Sequence, residues 1–508
     1  MLLRLVEASG LVGIFSLLLR WQVSLHPYSG AGKAPMFGDY EAQRHWQELT
    51  VNLPVGAWYT NSSDNDLLYW GLDYPPVTAY HSYVVGRVAR YLNPDYVALH
   101  SSRGYESYQH KLFMRYTVLV ADLLIFIPAI MLYYFSFDKS PKSSVMKRLS
   151  VIALLVNPGL FLIDYGHFQY NNVSLGLFIA AVSMFISGKD CYGSFLFSVA
   201  LNYKQMELYH ALPIFVYLLS KCMREVTIVN KIAKLSKIGL VVILTFGLIY
   251  SPFLGSLESI SQVVARIFPF NRGLFEDKVA SVWCSFSVLI KFKALISNAK
   301  MAQICFASTF LLSLPACINL FVKPTTDHLR YALVNVSFVF FLYSFHVHEK
   351  SILLVTVPAC MLYGSDPAIV SWLVTTSIFS MGPLLIKDGL FIASVCLTVL
   401  WVLFSIPLVD YAKSKGHNTP FDGSNITWEM SLINVFSRYY NILWVLSHIG
   451  MTILGGCLAF VPPPSRYPDL FPVLIALVSC GHYIVFALYF HYRQFMLTPT
   501  KIFSKKVR

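Results

Sequence analysis

Long apolar stretches separated by short polar segments recur along the whole chain. A helix needs about 20 apolar residues to cross the hydrocarbon core of a membrane. Stretches of this kind lie at 11–25, 113–136, 149–165, 172–187, 238–255, 301–322, 329–345, 351–363, 367–386, 388–409, 438–460 and 469–491. The pattern predicts an all-α polytopic membrane protein, because helices satisfy their own backbone hydrogen bonds inside a bilayer.

One further apolar region, 193–220, is interrupted by polar side chains between Asn202 and His210. It can form one long helix or two short crossings with a polar break. The short loops on either side are basic, around Lys189 and at 221–237. Because basic loops stay in the cytosol, an even number of crossings separates them, which favours two.

The basic loops also set the orientation of the other segments. Counting from them gives about fourteen crossings in one membrane-embedded domain, 1–508, with both termini in the cytosol. Residues 26–112 then form a long first lumenal loop and 256–300 a second. The tail 491–508 is cytosolic and ends in Lys-Lys-Val-Arg. This ending is similar to a dilysine signal for return to the endoplasmic reticulum, or it is an ordinary basic tail beside a membrane.

Composition supports a membrane protein. Hydrophobic residues make up 56% of the 508-residue chain and charged residues 13%, whereas soluble proteins carry about a quarter charged residues. The mean hydropathy is +0.58. The net charge of +13 comes from basic residues beside apolar stretches, so it indicates membrane topology and no nucleic-acid partner. The cysteines form no CxxC pair and predict no disulfide framework.

The first loop, 26–112, differs from the rest because it combines eight acidic residues with Trp46, Trp58 and Trp70. Carboxylates bind hydroxyl groups or protons, and flat rings stack on sugars, so such a surface suits a carbohydrate. Within this loop, apolar residues at helical spacing over 77–92 predict an interfacial helix on the membrane.

Two strings in this loop combine acids with breaks in the chain. Gly38 interrupts the chain just before Asp39, and a helical pattern with Glu41 and Arg44 follows. An acid in this position can cap a helix or act as a base that faces a cavity at the membrane surface, and the residues alone leave both open. In the second string two prolines fix a rigid turn after Asp73, which can still reach the same cavity.

Other ionisable residues lie where apolar and polar stretches meet. The cluster of His and Lys at 346–350 suits an anionic phosphate, although Lys350 can also simply extend to the membrane surface. His346 and His348 lie two positions apart and do not share a helix face, so zinc is not expected. The DxD string at 64–66, which could hold a metal for a nucleotide sugar, lies in a polar run that predicts an exposed loop. The candidate residues outside the first loop are His167, Lys204, Arg272, His346, His348, Glu349 and Lys350.

Several blocks of the chain resemble the endoplasmic-reticulum glucosyltransferases that assemble the N-glycan precursor. Within that family, the blocks at 28–33 and 38–46 match the member that adds the first glucose, and the sister that adds the second departs there. The resemblance covers essentially the whole chain. The blocks are Tyr28–Lys33, Gly38–Trp46, Trp70–Pro76, Ser102–Ser107 and His348–Ser351.

The resemblance implies a GT-C membrane fold and an inverting enzyme of the endoplasmic-reticulum membrane with a lumenal active site. Glucose would pass from dolichyl phosphate glucose to the terminal mannose of a nine-mannose oligosaccharide carried on dolichyl pyrophosphate, forming an α-1,3 linkage. No metal or other cofactor is implied.

The resemblance also assigns roles to residues. Asp39 matches the base. His348 and Lys350 match the group that stabilises the donor phosphate, and Lys204 and Arg272 are weaker candidates for it. The residues expected to shape the site on the acceptor side are Glu41, Arg44, Asp73, His167, His346 and Glu349.

Three alternatives remain. The sister activity consumes the monoglucosylated acceptor. A lipid transporter would place polar sites at the bilayer midplane and show inverted repeats, and no internal repeat is found here. A scaffold without chemistry would be indifferent to the loss of Asp39.

Overall fold

The computed structural model describes residues 9–136, 141–268, 278–414 and 431–497, and within these ranges every regular element is a helix. The first half contains α1 Ser9–Ser24, α2 Asp39–Asn52, α3 Pro76–Leu92, α4 Tyr108–Ala121, α5 Ile127–Phe135, α6 Pro141–Leu155, α7 Pro158–Leu160, α8 Asn171–Ile186, α9 Asp190–Tyr203, α10 Leu208–Met223 and α11 Ile228–Tyr250. The second half contains α12 Leu257–Ile267, α13 Val282–Phe286, α14 Phe292–Leu295, α15 Asn298–Val322, α16 Thr326–Tyr343, α17 Leu353–Met361, α18 Pro367–Ser380, α19 Gly382–Lys387, α20 Phe391–Ser414, α21 Ser431–Phe460 and α22 Leu470–Met496.

Shorter and wider turns connect several of these helices. Single 3₁₀ turns lie at Val55–Ala57, Pro94–Val97, Gln205–Glu207, Ser251–Phe253 and Glu349–Ile352. Wider π segments lie at Asp122–Phe126 and Phe161–Phe168.

Among the described residues, seven helices are long and apolar enough to cross a membrane, which is the pattern of a multi-pass membrane protein. They are Tyr108–Phe135, Lys147–Phe168, Ile228–Phe253, Asn298–Val322, Phe391–Ala412, Tyr440–Phe460 and Leu470–Met496. Three shorter apolar helices lie at Leu11–Ser24, Asn171–Ile186 and Pro367–Ser380. The remaining four predicted crossings also fall on helices, namely α9, α10, α16 and α17. The number of crossings itself stays a prediction.

Region 193–220 forms two helices and not one. Helix α9 ends at Tyr203, and α10 begins at Leu208 after a 3₁₀ turn. Lys204 lies at the break, where its backbone is extended, and its side chain is buried. The polar interruption in the sequence therefore marks a real break, which directs a lysine into the protein interior.

The first loop is folded around the pair of helices α2 and α3. Gly86 of α3 lies against Gln47 and Val51 of α2, so closely that a Cβ at position 86 would come within 2.6 Å of the Val51 side chain. The opposite face of α3 exposes Val84, Val88 and Tyr91. The predicted helix over 77–92 is confirmed, and its place at the membrane surface stays a prediction.

The second loop contains the short helix α13, which has only five residues. Arg266 at the end of α12 donates hydrogen bonds to the backbone carbonyls of Gly71, at 2.6 Å, and Leu72, at 3.2 Å. This contact holds the turn that contains Asp73 against α12.

A buried ion pair joins α1 to the π segments. The Arg20 Nε donates to Asp122 Oδ2 at 2.6 Å, and both side chains are fully buried. The Tyr165 hydroxyl donates to the same carboxylate oxygen at 2.7 Å. A charge inside a bilayer needs such a partner, and here the partners fix the π segment that contains His167.

Candidate functional site

Asp39 lies at the start of α2, but it does not cap the helix. The N-cap position is Gly38, whose backbone is extended and which makes no side-chain cap hydrogen bond. The Asp39 backbone N–H donates to Ser29 Oγ at 3.4 Å. Gly30, at φ +78°, permits this approach, since a Cβ there would lie 2.1 Å from the Gly38 nitrogen. The cap interpretation of Asp39 is wrong, and its carboxylate points to other partners.

Three polar side chains from two distant segments converge on one oxygen of that carboxylate. Asp39 Oδ2 lies 3.0 Å from His167 Nε2 and accepts hydrogen bonds from Gln169 Nε2 and Lys350 Nζ. No donor to Oδ1 is found within the ranges that the structure describes. The Asp39 side chain is 24% exposed. One oxygen of the carboxylate is therefore held by the protein, and the other is available to a ligand.

The neighbouring cations govern the charge of Asp39. Burial by itself would raise its pKa, but the positive charge of Lys350 and the adjacent His167 hold the pKa well below its usual range. Asp39 is thus an anion over the whole physiological range. The positive charge of the lysine opposes protonation of this carboxylate. Asp39 is therefore suited to accept a proton only when another anion also binds that lysine.

A second lysine approaches the same carboxylate through an amide. Lys204 Nζ donates to Gln169 Oε1 at 3.0 Å and to Asn171 Oδ1, and it lies 5.1 Å above the centre of the Tyr74 ring. Burial and the charge of Lys350 lower the pKa of Lys204 to about 8. Lys350 and Lys204 thus place two ammonium groups beside the Asp39 carboxylate, an arrangement that suits an anionic ligand.

The backbone around His167 is held by several contacts. Arg115 Nη2 donates to the Gly166 carbonyl at 2.9 Å. Asp164 accepts hydrogen bonds from Asn171 Nδ2 at 2.8 Å and from the Asn172 backbone at 2.7 Å, which fixes the start of α8. Phe168, between the two site residues, has φ +86°. A left-handed phenylalanine is rare and marks a place where the surroundings impose the backbone conformation.

The other nitrogen of His167 contacts a residue that the sequence interpretation missed. His167 Nδ1 lies 2.6 Å from Asp388 Oδ2, and both side chains are almost fully buried. Asp388 directly follows α19, between two apolar stretches. An acid at such a boundary is itself a signal of function, and it could have been found by that rule. Gln169 and Asn171 were not among the predicted residues either.

The segment that contains Lys350 connects α16 to α17. The 3₁₀ turn Glu349–Ile352 follows His348, whose backbone N–H donates to Ser351 Oγ at 3.4 Å. His346 and His348 are half-buried in the same connection, as is Glu349. Lys350, in this turn, donates a hydrogen bond to Asp39.

Glu41 and Arg44 belong to a different buried assembly on α2. Arg44 donates to both carboxylate oxygens of Glu41, at 2.7 and 2.6 Å, and to Glu48 Oε2 at 2.7 Å. Glu41 Oε1 also accepts from Tyr69 Oη at 2.9 Å and from the Gly104 backbone at 3.1 Å. These contacts hold the first loop together and are separate from the contacts that Asp39 makes.

The remaining candidates have the following positions. The backbone carbonyl of Asp73 accepts from Gln205 Nε2 at 3.1 Å, so the Asp73 turn lies beside the Lys204 break. Arg272 lies outside the described residues.

In the DxD string, Asp64 lies 3.1 Å from an exposed His100 and Asp66 Oδ1 accepts from the Leu68 backbone at 2.9 Å, as in an exposed turn. In the described ranges, no group of three His, Cys, Asp or Glu is arranged to hold a metal ion.

Comparison with known proteins identifies the family. A model of the ALG6, ALG8 glycosyltransferase family matches residues 16–489. The dolichyl pyrophosphate Man9GlcNAc2 alpha-1,3-glucosyltransferase of Gallus gallus is 48% identical over 94% of this chain and 94% of its own length. Proteins named as probable enzymes of the same kind are 46% identical in Drosophila melanogaster, over 96% of this chain and 98% of theirs, and 42% identical in Arabidopsis thaliana, over 96% and 89%. Since the family model spans nearly the whole sequence, the chain belongs to the ALG6, ALG8 glycosyltransferase family.

Proposed function

We propose that this protein is an inverting α-1,3-glucosyltransferase of the endoplasmic-reticulum membrane. It transfers glucose from dolichyl phosphate glucose to the terminal mannose of the nine-mannose oligosaccharide on dolichyl pyrophosphate. This is the first glucose of the N-glycan precursor. The names of the relatives support the acceptor and the linkage. The observation that carries the proposal is the partly exposed Asp39 carboxylate beside Lys350, with Lys204 one amide away.

In this reaction Asp39 is the base. Its Oδ1 takes the proton of the acceptor hydroxyl, while the acceptor oxygen attacks the anomeric carbon from the face opposite the phosphate. Removal of a hydroxyl proton in the transition state needs a carboxylate within hydrogen-bond reach. Attack from the opposite face converts the β-linked donor into an α-linked product.

The leaving group is a phosphate, so its negative charge must be stabilised. Lys350 and His348 bind the donor phosphate, and Lys204 and Arg272 contribute positive charge. Fixed cations aimed at developing charge are an effective form of catalysis. Once the phosphate shares the charge of Lys350, Asp39 becomes more basic, because less positive charge opposes its protonation. Donor binding therefore activates the base.

Glu41 and Arg44 shape the acceptor side by holding the first loop, together with Asp73, His167, His346 and Glu349. The reaction uses no metal and no other cofactor. We place the site on the lumenal side of a GT-C fold of about fourteen crossings, with both termini in the cytosol. The basic loops and the cluster of polar residues at one side support this arrangement.

The test is glucose transfer from a short-chain dolichyl phosphate glucose to the nine-mannose lipid acceptor, by purified protein in detergent, with and without EDTA. The proposal expects EDTA-resistant transfer by the wild type and none by Asp39→Asn. Asp469→Asn is the matched control, because that carboxylate is 61% exposed and pairs with Lys278. Transfer only to the monoglucosylated acceptor would assign the sister activity instead. Normal transfer by Asp39→Asn would remove Asp39 as the base.

A further inference from the structure

Asp39, His167 and Asp388 form a continuous chain of two carboxylates joined by one imidazole. His167 Nε2 lies 3.0 Å from Asp39 Oδ2, and His167 Nδ1 lies 2.6 Å from Asp388 Oδ2. The three residues come from α2, the π segment and the end of α19. Asp388 has no part in the function proposed above, although it is buried in the same cluster.

A carboxylate only accepts hydrogen bonds, so Asp388 fixes a proton on Nδ1 of the imidazole. The opposite nitrogen, Nε2, faces a second carboxylate, that of Asp39, and also lies 3.2 Å from Lys350 Nζ. An imidazole between two carboxylates is stabilised as the imidazolium, with a proton on each nitrogen. If Lys350 binds the donor phosphate as proposed above, the same ammonium group brings that phosphate close to Nε2.

We propose that Asp388 is a positioning residue that keeps His167 as an imidazolium, and that His167 forwards the acceptor's proton from Asp39 to the leaving phosphate. This inference rests on the function proposed above. It adds to it a route by which the base is reset after each transfer.

The protons balance over one turnover. The acceptor hydroxyl gives its proton to Asp39 as the new glycosidic bond forms, and the electron pair of the broken bond goes to the phosphate. The imidazolium then gives its Nε2 proton to a phosphate oxygen. After the Asp39 carboxyl turns about its Cβ–Cγ bond, its proton moves to Nε2. The products are the glucosylated acceptor and a phosphate monoanion, and Asp39 and His167 return to their starting states.

The chemistry of the two end groups suits this transfer. The second pKa of a phosphate monoester is about 6, and that of an unperturbed imidazole is about 6.5. A proton can therefore pass between them without a large barrier from mismatched acidity. Because the proton leaves on the phosphate, a buried histidine can regain its protonated state in each cycle without direct contact with water.

Several charged groups face His167 and must be considered in any pH experiment. Asp39 approaches from α2, Lys350 from the connection before α17, and Asp388 from the end of α19. Arg115 of α4 contacts the adjacent Gly166 carbonyl. Lys204 acts through Gln169 and affects donor binding, so it should alter KM for the donor and leave the saturated rate to His167.

The test is the pH dependence of kcat at saturating donor and acceptor for the wild type and Asp388→Asn. The amide is close in size to the carboxylate but lacks its charge, so the imidazolium should give up its proton at lower pH. We expect the alkaline decline of kcat to begin about 1 to 3 pH units lower, the range for loss of one adjacent opposite charge. Near pH 6 kcat should stay within about threefold of the wild type, and Asp388→Glu should restore the profile.

The controls separate this role from a structural one. Asp469→Asn should leave the profile unchanged. An unshifted decline in Asp388→Asn, or a loss of kcat that is equal at every pH, overturns the proposal. If Asp388→Asn does not fold, His167→Gln decides the question. A retained alkaline decline in kcat contradicts the relay, and a lost one supports it.

Failure of the underlying function would look different. Absence of wild-type product with the nine-mannose acceptor contradicts the proposed function. If the monoglucosylated acceptor is consumed instead, the same pH profiles are recorded with it. Wild-type product with identical profiles in both proteins contradicts only the relay.

Discussion

Helix α2 carries two assemblies of charged side chains that differ in how their partners are supplied. Arg44, Glu41 and Glu48 lie within two turns of one helix, and the guanidinium contacts both carboxylates. Burial alone would raise the pKa of Glu48, but hydrogen bonds and charge from His45 and Arg44 lower it to about 2. Asp39, at the start of the same helix, instead takes its partners from residues 128 to 311 positions away.

The difference distinguishes a structural network from the candidate site. In the Arg44 assembly, each carboxylate has several donors, among them Tyr69, Gly104 and the His100 backbone. Such a network is stabilised by being complete. At Asp39 the hydrogen-bond partners are concentrated on one oxygen. We expect a ligand to complete that arrangement.

The largest effect is expected from Asp39→Asn. It removes the proposed base and should lower kcat about 10²- to 10⁴-fold, the usual contribution of a general base. Thermal unfolding in detergent should change little, because the amide oxygen can still accept from Lys350 and Gln169. The transfer assay and the unfolding curve are measured on one preparation. A large loss of stability with normal transfer per folded molecule would reverse the comparison.

Arg44→Met should have the opposite profile. It leaves two buried carboxylates without their cation, which costs about 3 to 5 kcal/mol in comparable cases. We therefore expect a large fall in the unfolding temperature and in the yield of folded protein. The triple variant Glu41→Gln, Arg44→Met, Glu48→Gln removes the unpaired charges and should recover much of the stability. No recovery would mean that Arg44 acts by more than charge balance.

Lys350→Gln should weaken the donor more than the acceptor. The phosphate loses the charge of Lys350, while Asp39 keeps His167 and Gln169 as partners. We expect the donor KM to rise about tenfold or more, since a charge-assisted contact is worth about 1.5 to 3 kcal/mol. The matched control is Lys278→Gln, whose lysine pairs with an exposed carboxylate. An equal rise in acceptor KM would place Lys350 nearer the oligosaccharide.

The smallest effect concerns Lys204 and pH. Its pKa of about 8 means that the ammonium group loses its proton as the pH rises past 8. An anionic donor favours the charged form, so the donor KM should rise above that pH by a few-fold and stay constant below it. Lys204→Arg remains charged over this range and should abolish the rise. A rise that persists in Lys204→Arg would assign it to another group.

Local patterns predicted much of this molecule. The apolar stretches gave the helices, the polar interruption near Lys204 gave the break, and the Gly38–Asp39 string gave the start of α2. These features depend on neighbours in the sequence. The role of Asp39 as a base and that of Lys204 near the phosphate were predicted from the family resemblance, because the residues alone left Asp39 open between a helix cap and a base. Lys350 was also indicated by the residues, since ionisable groups at a membrane boundary often have a function.

Pairing between distant residues was beyond such patterns. The sequence grouped Glu41 and Arg44 with Asp39, since all three lie in one string, but the helix directs Arg44 towards Ser102 and Glu48. The pairing of Asp388 with His167 could not be predicted from local patterns, because the two residues lie 221 positions apart. Helix periodicity fixes which residues share a face, and only the packing of helices decides what that face meets.

The π segment Phe161–Phe168 fixes how many residues must precede His167 in its helix. A π turn holds one more residue than an α turn, so the number of residues before His167 sets the direction of its imidazole. Deletion of a single residue here, such as Ile163, would allow an ordinary α-helix and rotate His167 by about 100° around the axis. In most apolar helices a lost residue shortens a surface that faces lipid. Here it would disconnect Asp39 from Asp388 without changing any residue of the site.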